Sequence, residues 1–438
     1  MGFLSYFLRN TYWINDFLKG SIIRRQYNDI QFILEKGEQG KDKKKQYLSR
    51  LLNHAVNNCK FYRTYSGKRI DDFPVVNKSI LIDNFVDISI PSESIPFQKG
   101  KIFVQNTSGS TGTPFAVPQD TRKRMRRIAE LKYFGNRSGF KSHDRLVHLR
   151  TWNRWQNKSK LQSIRENIIA FNIAQIDKER LKALCETIVK KHVVAVRGYA
   201  SSIDLLAKFS VDNNIKMPSL KLMIAGSEAL EESTRDLVQT KLGCNIISQY
   251  ANEENGILGQ EGNPSAEGDQ FFYLNHASYY FEVLKLQEDK PAEYGELGRI
   301  VITDLFNYAF PLIRYDTGDT AIMLEKNEHS NGFPIFEKLY GRRLDLVFDT
   351  KGDIVYPMAL ARILKHYTQI VQWQFIQNGE SEYLLKLNCK EDFRSSKEII
   401  MELEELFGKD ANIMVEFSSD IPVLASGKRK PVINNWKR

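Results

Sequence analysis

The chain has 438 residues and a mass of 50.7 kDa, too long for one simple core, so two or more domains are expected. Its 42% hydrophobic and 11% aromatic content is that of a globular protein, and no apolar run approaches the roughly 20 residues that cross a bilayer. A net charge of +10 favours anionic partners such as nucleotides, coenzyme phosphates or an anionic lipid surface.

The first segment, "MGFLSYFLRNTYWINDFLKGSIIRR", has no small-residue cleavage pattern and does not read as a secretory signal. Gly2 invites a myristoylation reading, which Tyr6 at the expected Ser or Thr position weakens. As a helix the segment sets Phe3, Phe7 and Ile14 near one side, an arrangement commoner in a core-facing stripe than in a membrane anchor. Helical periodicity continues to about residue 65, with Leu48, Leu51, Leu52 and Ala55 on one side. The four cysteines, Cys59, Cys185, Cys244 and Cys389, form no CxxC pair, so neither structural zinc nor a disulfide framework is indicated and a reducing cytoplasm is the simplest location.

After a short apolar run comes "QNTSGSTGTPF", Gln105 to Phe115, with two glycines, five hydroxyl side chains and no charge. Glycine lets the backbone come close to a ligand, and hydroxyls with turned-in amides make a nest for phosphate oxygens. The basic stretch "TRKRMRRIAELKYF" that follows reads first as a solvated helix face. The alternatives are docking of a phosphorylated second substrate such as CoA, or of an anionic membrane; no nucleic-acid motif is present.

From "RLVHLR" to "NIISQY" strands and helices alternate, which predicts an α/β domain with a largely parallel sheet. Ligands of such sheets gather beyond the strand C-termini, which draws attention to the residues after "LMIA" and "ISQ". Between Ala277 and Leu324 the pattern becomes β-rich. A joint is expected near Gly341 to Gly352, followed by a compact α+β unit. The predicted fold is therefore α/β, with a large N-terminal domain over 1–341 (helical to about 95) and a small mobile C-terminal α+β domain over 342–438.

Four further stretches stand out: "AGSEAL" (225–230), "SQYANEENGILGQE" (248–261), "PLIRYDTGD" (311–319) and "GRRLDLVFDTKGDIVYP" (341–357), with a late "SGKRK" around Lys428. Each has an ordinary explanation as a turn or a solvated face. Together, in this order, they resemble the adenylate-forming superfamily of acyl-CoA synthetases, and within it the phenylacetate–CoA ligase and CapK-like branch from polysaccharide gene clusters. "FPVVNKSIL" and "GDIVYP" are also similar to that branch.

The resemblance implies a role for each matched position. Thr107, Ser108, Gly109, Ser110, Thr111 and Gly112 would cradle the β- and γ-phosphates of ATP, in a loop without the Gly-Lys-Ser/Thr of a Walker A. Gly226, Ser227 and Glu228 would lie along adenine, with Tyr250 stacked on its other face. Glu254 matches the family's Mg²⁺-associated glutamate, and Asp319 the aspartate that accepts both ribose hydroxyls. Arg342 or Arg343 would be the motif arginine, with Arg343 favoured by spacing, and Asp345 falls at the hinge. Lys428 would stabilise the adenylation transition state. Three positions depart from the pattern: Thr113 where many relatives carry Lys, Ala251 in place of glycine, and Glu253 where Thr or Ser is common. A carboxylate there is unfavourable near phosphate unless it turns away or helps bind metal. The metal-binding Cys cluster of some phenylacetate ligase relatives is absent.

The activity so implied is ATP- and Mg²⁺-dependent conversion of an organic acid, aromatic acids among the candidates, to an acyl-adenylate, followed by transfer to a thiol, with CoA expected. The rivals are a ligase that passes the acyl group to an amine in polysaccharide or lipid decoration, and a non-catalytic nucleotide-binding protein at the membrane surface. His148, Trp152 and Tyr199 are candidates for the acid pocket.

Overall fold

A computed structural model describes residues 3–65, 69–106, 115–150, 159–173, 177–262, 270–327, 329–342, 346–355, 357–389, 393–421 and 430–436. Two units are distinguished, one comprising residues 1–230 and 234–339, the other 231–233 and 340–438. The chain combines a large mixed α/β unit with a smaller α+β one.

In the first unit three helices, Phe3–Leu18, Ile22–Glu35 and Gly37–Asn58, precede a hairpin of β1 (Phe103–Asn106) and β2 (Ala116–Gln119). The alternating region supplies β3 (Leu146–Arg150), β4 (Ile168–Asn172), β5 (Ala195–Tyr199), β6 (Leu222–Gly226) and β7 (Asn245–Asn252). The β-rich region supplies β8 (Gly256–Glu261), β9 (Phe272–Leu274), β10 (Tyr279–Leu284), β11 (Leu297–Asp304), β12 (Tyr315–Leu324) and β13 (Ile335–Arg342). All eleven from β3 onward form one sheet in the order β10-β11-β12-β13-β9-β8-β7-β6-β5-β3-β4.

Strands β4, β3, β5, β6 and β7 run parallel, as strands joined by helical crossovers must. From β7 to β8 the pairing turns antiparallel. The crossover helices are well specified locally: Asp177 accepts a hydrogen bond from the Arg180 amide at 2.8 Å, capping Lys178–Lys190, and Leu181, Leu184, Cys185 and Ile188 of that helix are buried. Chain order reverses between β3 and β5, because β4 lies on one side of β3 and β5 to β7 on the other. In open α/β sheets such a reversal is where a ligand crevice is expected, beyond the C-terminal ends of β3 and β5.

The basic stretch 121–134 is not a solvated face. In the helix Thr121–Arg137, Lys123 and Arg126 are fully buried. Lys123 meets Asp304 at 2.5 Å and donates to the Tyr279 hydroxyl at 3.0 Å. Arg126 donates to Asp29 (2.6 Å), Ser278 (2.9 Å) and the Ala277 carbonyl (2.7 Å). Arg122 lies over Phe306 and Tyr308, and Arg124 over Phe103. These cations hold the helix against its own unit. Burying them is tolerable only because each has an anion, a carbonyl or a ring as partner.

Three histidines are held below the ordinary histidine pKa. His143 falls to about 4, through burial first and then the nearby Lys132 and Arg9 charges. Its Nδ1 is buried with no hydrogen-bond partner among the described residues, so a proton there would be unsolvated. His276 is lowered by burial and by Lys44, whose Nζ sits 3.0 Å from its Nδ1, and His54 by burial. The unfolded chain therefore takes up these protons first as pH falls. Stability is fully present above about 6.5 and declines toward about 4. The melting temperature should drop across that window, and His143→Asn should make the drop shallower; Asn tolerates the left-handed backbone of residue 143 (φ 66°). Thermal melts at stepped pH check this.

In the second unit β14 (Val347–Phe348) pairs with β15 (Ile354–Val355), and a four-stranded sheet has the order β18-β17-β16-β19. Its strands are β16 (Ile370–Gln377), β17 (Glu382–Cys389), β18 (Asn412–Phe417) and β19 (Val432–Asn434). The helix Ser396–Phe407 buries Ile399, Leu403 and Phe407 in this unit's own core with Phe375, Tyr383 and Leu385.

Candidate active site

The C-terminal ends of the parallel strands bring several of the sequence-selected residues together. In register, Tyr199 lies opposite Gly226, and Gly226 opposite Gln249, one residue before Tyr250. Ser227 follows β6 with a left-handed backbone (φ 66°), turning the chain sharply after the strand. Glu228 then reaches sideways and accepts a hydrogen bond from the Ser201 amide at 2.9 Å, at the start of the helix Ala200–Asp212. Its carboxylate therefore helps fix the turn.

Tyr250 is almost fully buried on β7, and its hydroxyl donates to Asp319 Oδ2 at 2.9 Å. Asp319 belongs to β12, so a hydrogen bond joins two stretches separated by 69 positions. The "DTGD" turn divides its acids between two tasks. Asp316 is buried and meets Arg299 Nη1 at 2.9 Å, while its other oxygen accepts from the Gly318 amide at 2.8 Å. Gly318 has a φ of 77°, a conformation that glycine adopts at little cost. Thr317 Oγ1 accepts from the Asp319 amide at 3.2 Å and donates to the Ile300 carbonyl at 3.1 Å. The turn is thereby rigid, and Asp319, partly exposed, is presented beside Tyr250.

Glu253 and Glu254 follow β7 in a turn that other residues clamp. Arg127 donates to the Glu253 carbonyl (3.0 Å), and Gln119 to the Glu254 carbonyl (3.0 Å). The Glu253 carboxylate pairs with Arg150 at 2.9 Å through one oxygen and accepts from Gln105 at 2.8 Å through the other. Its charge is thus balanced by a cation at the end of β3 and by the residue two positions before the hydroxyl-rich loop. Glu254 Oε1 stands 3.5 Å from the Tyr315 hydroxyl. Tyr199 completes the group: burial raises its pKa, with Arg150 opposing and Glu228 and Glu253 adding to the rise.

Arg150 and Gln119 do not stand out in the sequence, and Gln105 and Arg127 stand out only as parts of longer stretches. The available signal was the end of the strand "RLVHLR", where Arg150 stands. His148 lies on the same strand, half-buried. Arg342 ends β13 with an exposed side chain. Thr107 to Gly112, Thr113, Trp152, Arg343, Asp345 and Lys428 lie outside the described residues. Among the described residues no three His, Cys, Asp or Glu side chains gather as a metal cluster, and no helix is long and apolar enough to cross a membrane.

A family model described as the CapK C-terminal domain matches residues 347–435. Protein CapK of Staphylococcus aureus is 24% identical over 96% of this chain and 95% of its own length. The chain is thus similar to adenylate-forming, CapK-like and phenylacetate–CoA ligase-like proteins. Phenylacetate–coenzyme A ligase of Thermus thermophilus is 28% identical over 40% of each chain. Among solved structures, a 2-hydroxyisobutyryl-CoA ligase in its postadenylation state, bound to an acyl-AMP (R3-HIB-AMP), superposes with a TM-score of 0.68 at 17% identity, covering 90% of each chain. The large mixed sheet and the smaller α+β unit are like the fold of adenylate-forming ligases.

Proposed function

We propose that this protein activates an organic carboxylic acid with ATP, forming an acyl-adenylate and releasing pyrophosphate, and then passes the acyl group to a thiol, CoA. The observation that carries the reading is the Tyr250–Asp319 hydrogen bond. It puts a flat aromatic side chain beside a partly exposed carboxylate, a combination suited to a nucleoside: ring for base, acid for ribose hydroxyls. In this reading Gly226 and Ser227 line the adenine with their backbone, Tyr250 stacks on it and Asp319 accepts the two hydroxyls. Thr107 to Gly112 cradle the outer phosphates, and Arg343 or Arg342 adds a positive charge.

The carboxylate that attacks the α-phosphate brings one anion onto another, so the site must supply positive charge and exclude surplus negative charge. The Arg150–Glu253 pair bears on this directly. Glu253 would oppose the reaction if its charge faced the phosphates, but it is bound by Arg150 and Gln105. That pairing favours turnover over a merely nucleotide-binding role. Glu254, held by its clamped carbonyl near Tyr315, is the residue that would hold Mg²⁺. One carboxylate together with nucleotide phosphates is a donor set this ion commonly takes, and the ion would offset charge on the phosphates. Tyr199, with Arg150 at the β3–β5 crevice, is proposed to border the acid.

ATP–pyrophosphate exchange over a panel of aliphatic and aromatic acids tests the first half-reaction. Exchange with at least one acid is expected, and the absence of exchange with every acid would overturn the proposal. Mass analysis of the product with CoA and with amines then identifies the acceptor; an amide in place of a thioester would reassign the second half-reaction and leave the first intact.

A further inference from the structure

The helix Phe3–Leu18 is turned opposite to the expectation for a core-facing stripe. Three of its polar residues face the protein: Ser5 and Asp16 are buried, and Arg9 pairs with Asp144 at 2.6 Å. Tyr12 and Trp13 pack inward, but the other large apolar residues include an outward set, with Phe3 83%, Phe7 55%, Ile14 59%, Phe17 72% and Leu18 76% exposed. At 100° per residue these five positions fall within about a third of the helix circumference. A face of this kind, apolar except for the half-buried Asn10, on a folded chain marks an interaction surface.

The inward side is fixed by specific bonds, so the outward face is a built feature of the fold. Both oxygens of Asp16 are used: one accepts from the Ile23 amide and the other from the Arg24 amide, each at 2.9 Å. Asn167 donates to the Ser5 hydroxyl at 3.3 Å, tying the end of the helix Lys160–Glu166 to the first helix. That second helix also carries exposed apolar side chains, Leu161 at 77% and Ile164 at 63%.

Charge identifies the occupant. Asp16 is the single acid among residues 3–25, and its carboxylate is buried and occupied. The exposed charges bordering the apolar face are positive: Lys19, Arg24 and Arg25 beyond the first helix, and Lys160 and Arg165 on its neighbour. Arg24 lies 3.9 Å over the Trp13 ring, which places an aromatic side chain at the same rim. A 16-residue helix is about 24 Å long, shorter than the roughly 30 Å hydrocarbon core, so it suits lying in the interface and not crossing it. We propose that the Phe3–Leu18 face, with its rim of cations, docks the protein on an anionic lipid surface. Apolar side chains enter the headgroup–acyl boundary, and Lys and Arg meet the lipid phosphates. This inference does not depend on the ATP-dependent activity.

Co-sedimentation of the full chain with phosphatidylcholine vesicles, with and without phosphatidylglycerol, tests it. Binding to the anionic vesicles is expected, weakening at high salt, with little binding to phosphatidylcholine alone. Phe7→Glu with Phe17→Glu should weaken binding by at least about tenfold while leaving the melting temperature unchanged, because both side chains are exposed in the folded protein. Should that pair disturb folding, Phe3→Glu with Leu18→Glu removes apolar area from the same face and reads the same loss. Failure of the unaltered chain to bind anionic vesicles, or binding indifferent to both pairs of substitutions, would overturn the proposal. So would sedimentation-velocity dimerisation that these variants abolish without vesicle binding, which would assign the face to a second copy of the chain.

Discussion

Asp319→Ala is expected to lower kcat/KM for ATP about a thousand-fold, because two hydrogen bonds from ribose hydroxyls to a carboxylate, each contributing about 1.5–3 kcal/mol, are lost together. The loss should appear without general destabilisation. Asp319 is partly exposed, whereas the rigidity of its turn rests on Asp316, Thr317 and Gly318. Asp319→Asn keeps an acceptor for the Tyr250 hydroxyl but removes the charge, so it should fall between wild type and Ala. Tyr250→Phe supplies the complementary reading. It keeps the ring and deletes the hydroxyl, with its bond to Asp319 and its longer 3.4 Å contact with Thr317, so a loss of about tenfold is expected, the scale of one hydrogen bond. Steady-state kinetics at varied ATP, with a thermal melt of each variant, check the series. A Tyr250→Phe loss as large as that of Asp319→Ala would mean that Asp319 acts only by positioning the tyrosine.

How much of this was legible beforehand depends on the range of the signals. The alternation of strands and helices is local, and "VVAVRGY", "LKLMIAG" and "NIISQY" all contain observed strands. The motif residues Tyr250 and Asp319 could be named because glycine and acid spacing around a turn is also local. Their bond could not, since it spans β7 and β12 and depends on sheet order. Arg150 was missed for the same reason: the importance of the β3 terminus follows from β4 lying on the side away from β5. β4 itself, "IIAFN", and the three-residue β19 are short runs that periodicity does not separate from loop. Glu253 reads as a liability until its pairing with Arg150, 103 positions away, is seen.

The charge run and the apolar stripe were misread in opposite senses. The basic helix looks solvated, yet Lys123 and Arg126 are buried on distant partners, Asp304, Tyr279 and Asp29. The Phe3, Phe7 and Ile14 stripe looks core-facing, yet Ser5 and Asp16 occupy the inward side. Amphipathicity reveals two faces; the specific partners available to the polar one decide which face is buried. Asp16 finds two backbone amides, and that decides the orientation.

Lys428→Ala is the variant that separates the two half-reactions. Adenylation builds negative charge between the entering carboxylate and the departing pyrophosphate, whereas thiol attack on an existing adenylate releases AMP after the pyrophosphate has gone. A lysine serving the first step should be nearly irrelevant to the second. The expected result is a loss of about a hundred- to a thousand-fold in ATP–pyrophosphate exchange, the scale of one preorganised charge or hydrogen-bond donor at a transition state. Thioester formation from chemically prepared acyl-adenylate and CoA should fall by no more than a few-fold. The assignment draws on the "SGKRK" sequence and on the family-model match at 347–435, which contains it. Lys430, two positions on, is an internal control, because its carbonyl already accepts a hydrogen bond from Gln374 at 2.9 Å and is part of the lead-in to β19. Lys430→Ala should leave exchange nearly unchanged if charge at one position matters, whereas equal losses for Lys428→Ala and Lys430→Ala would point to a diffuse positive field. Equal loss in both half-reactions for Lys428→Ala would remove the lysine from the chemistry of adenylation, since no charge that acts on pyrophosphate departure can slow a step from which pyrophosphate is absent.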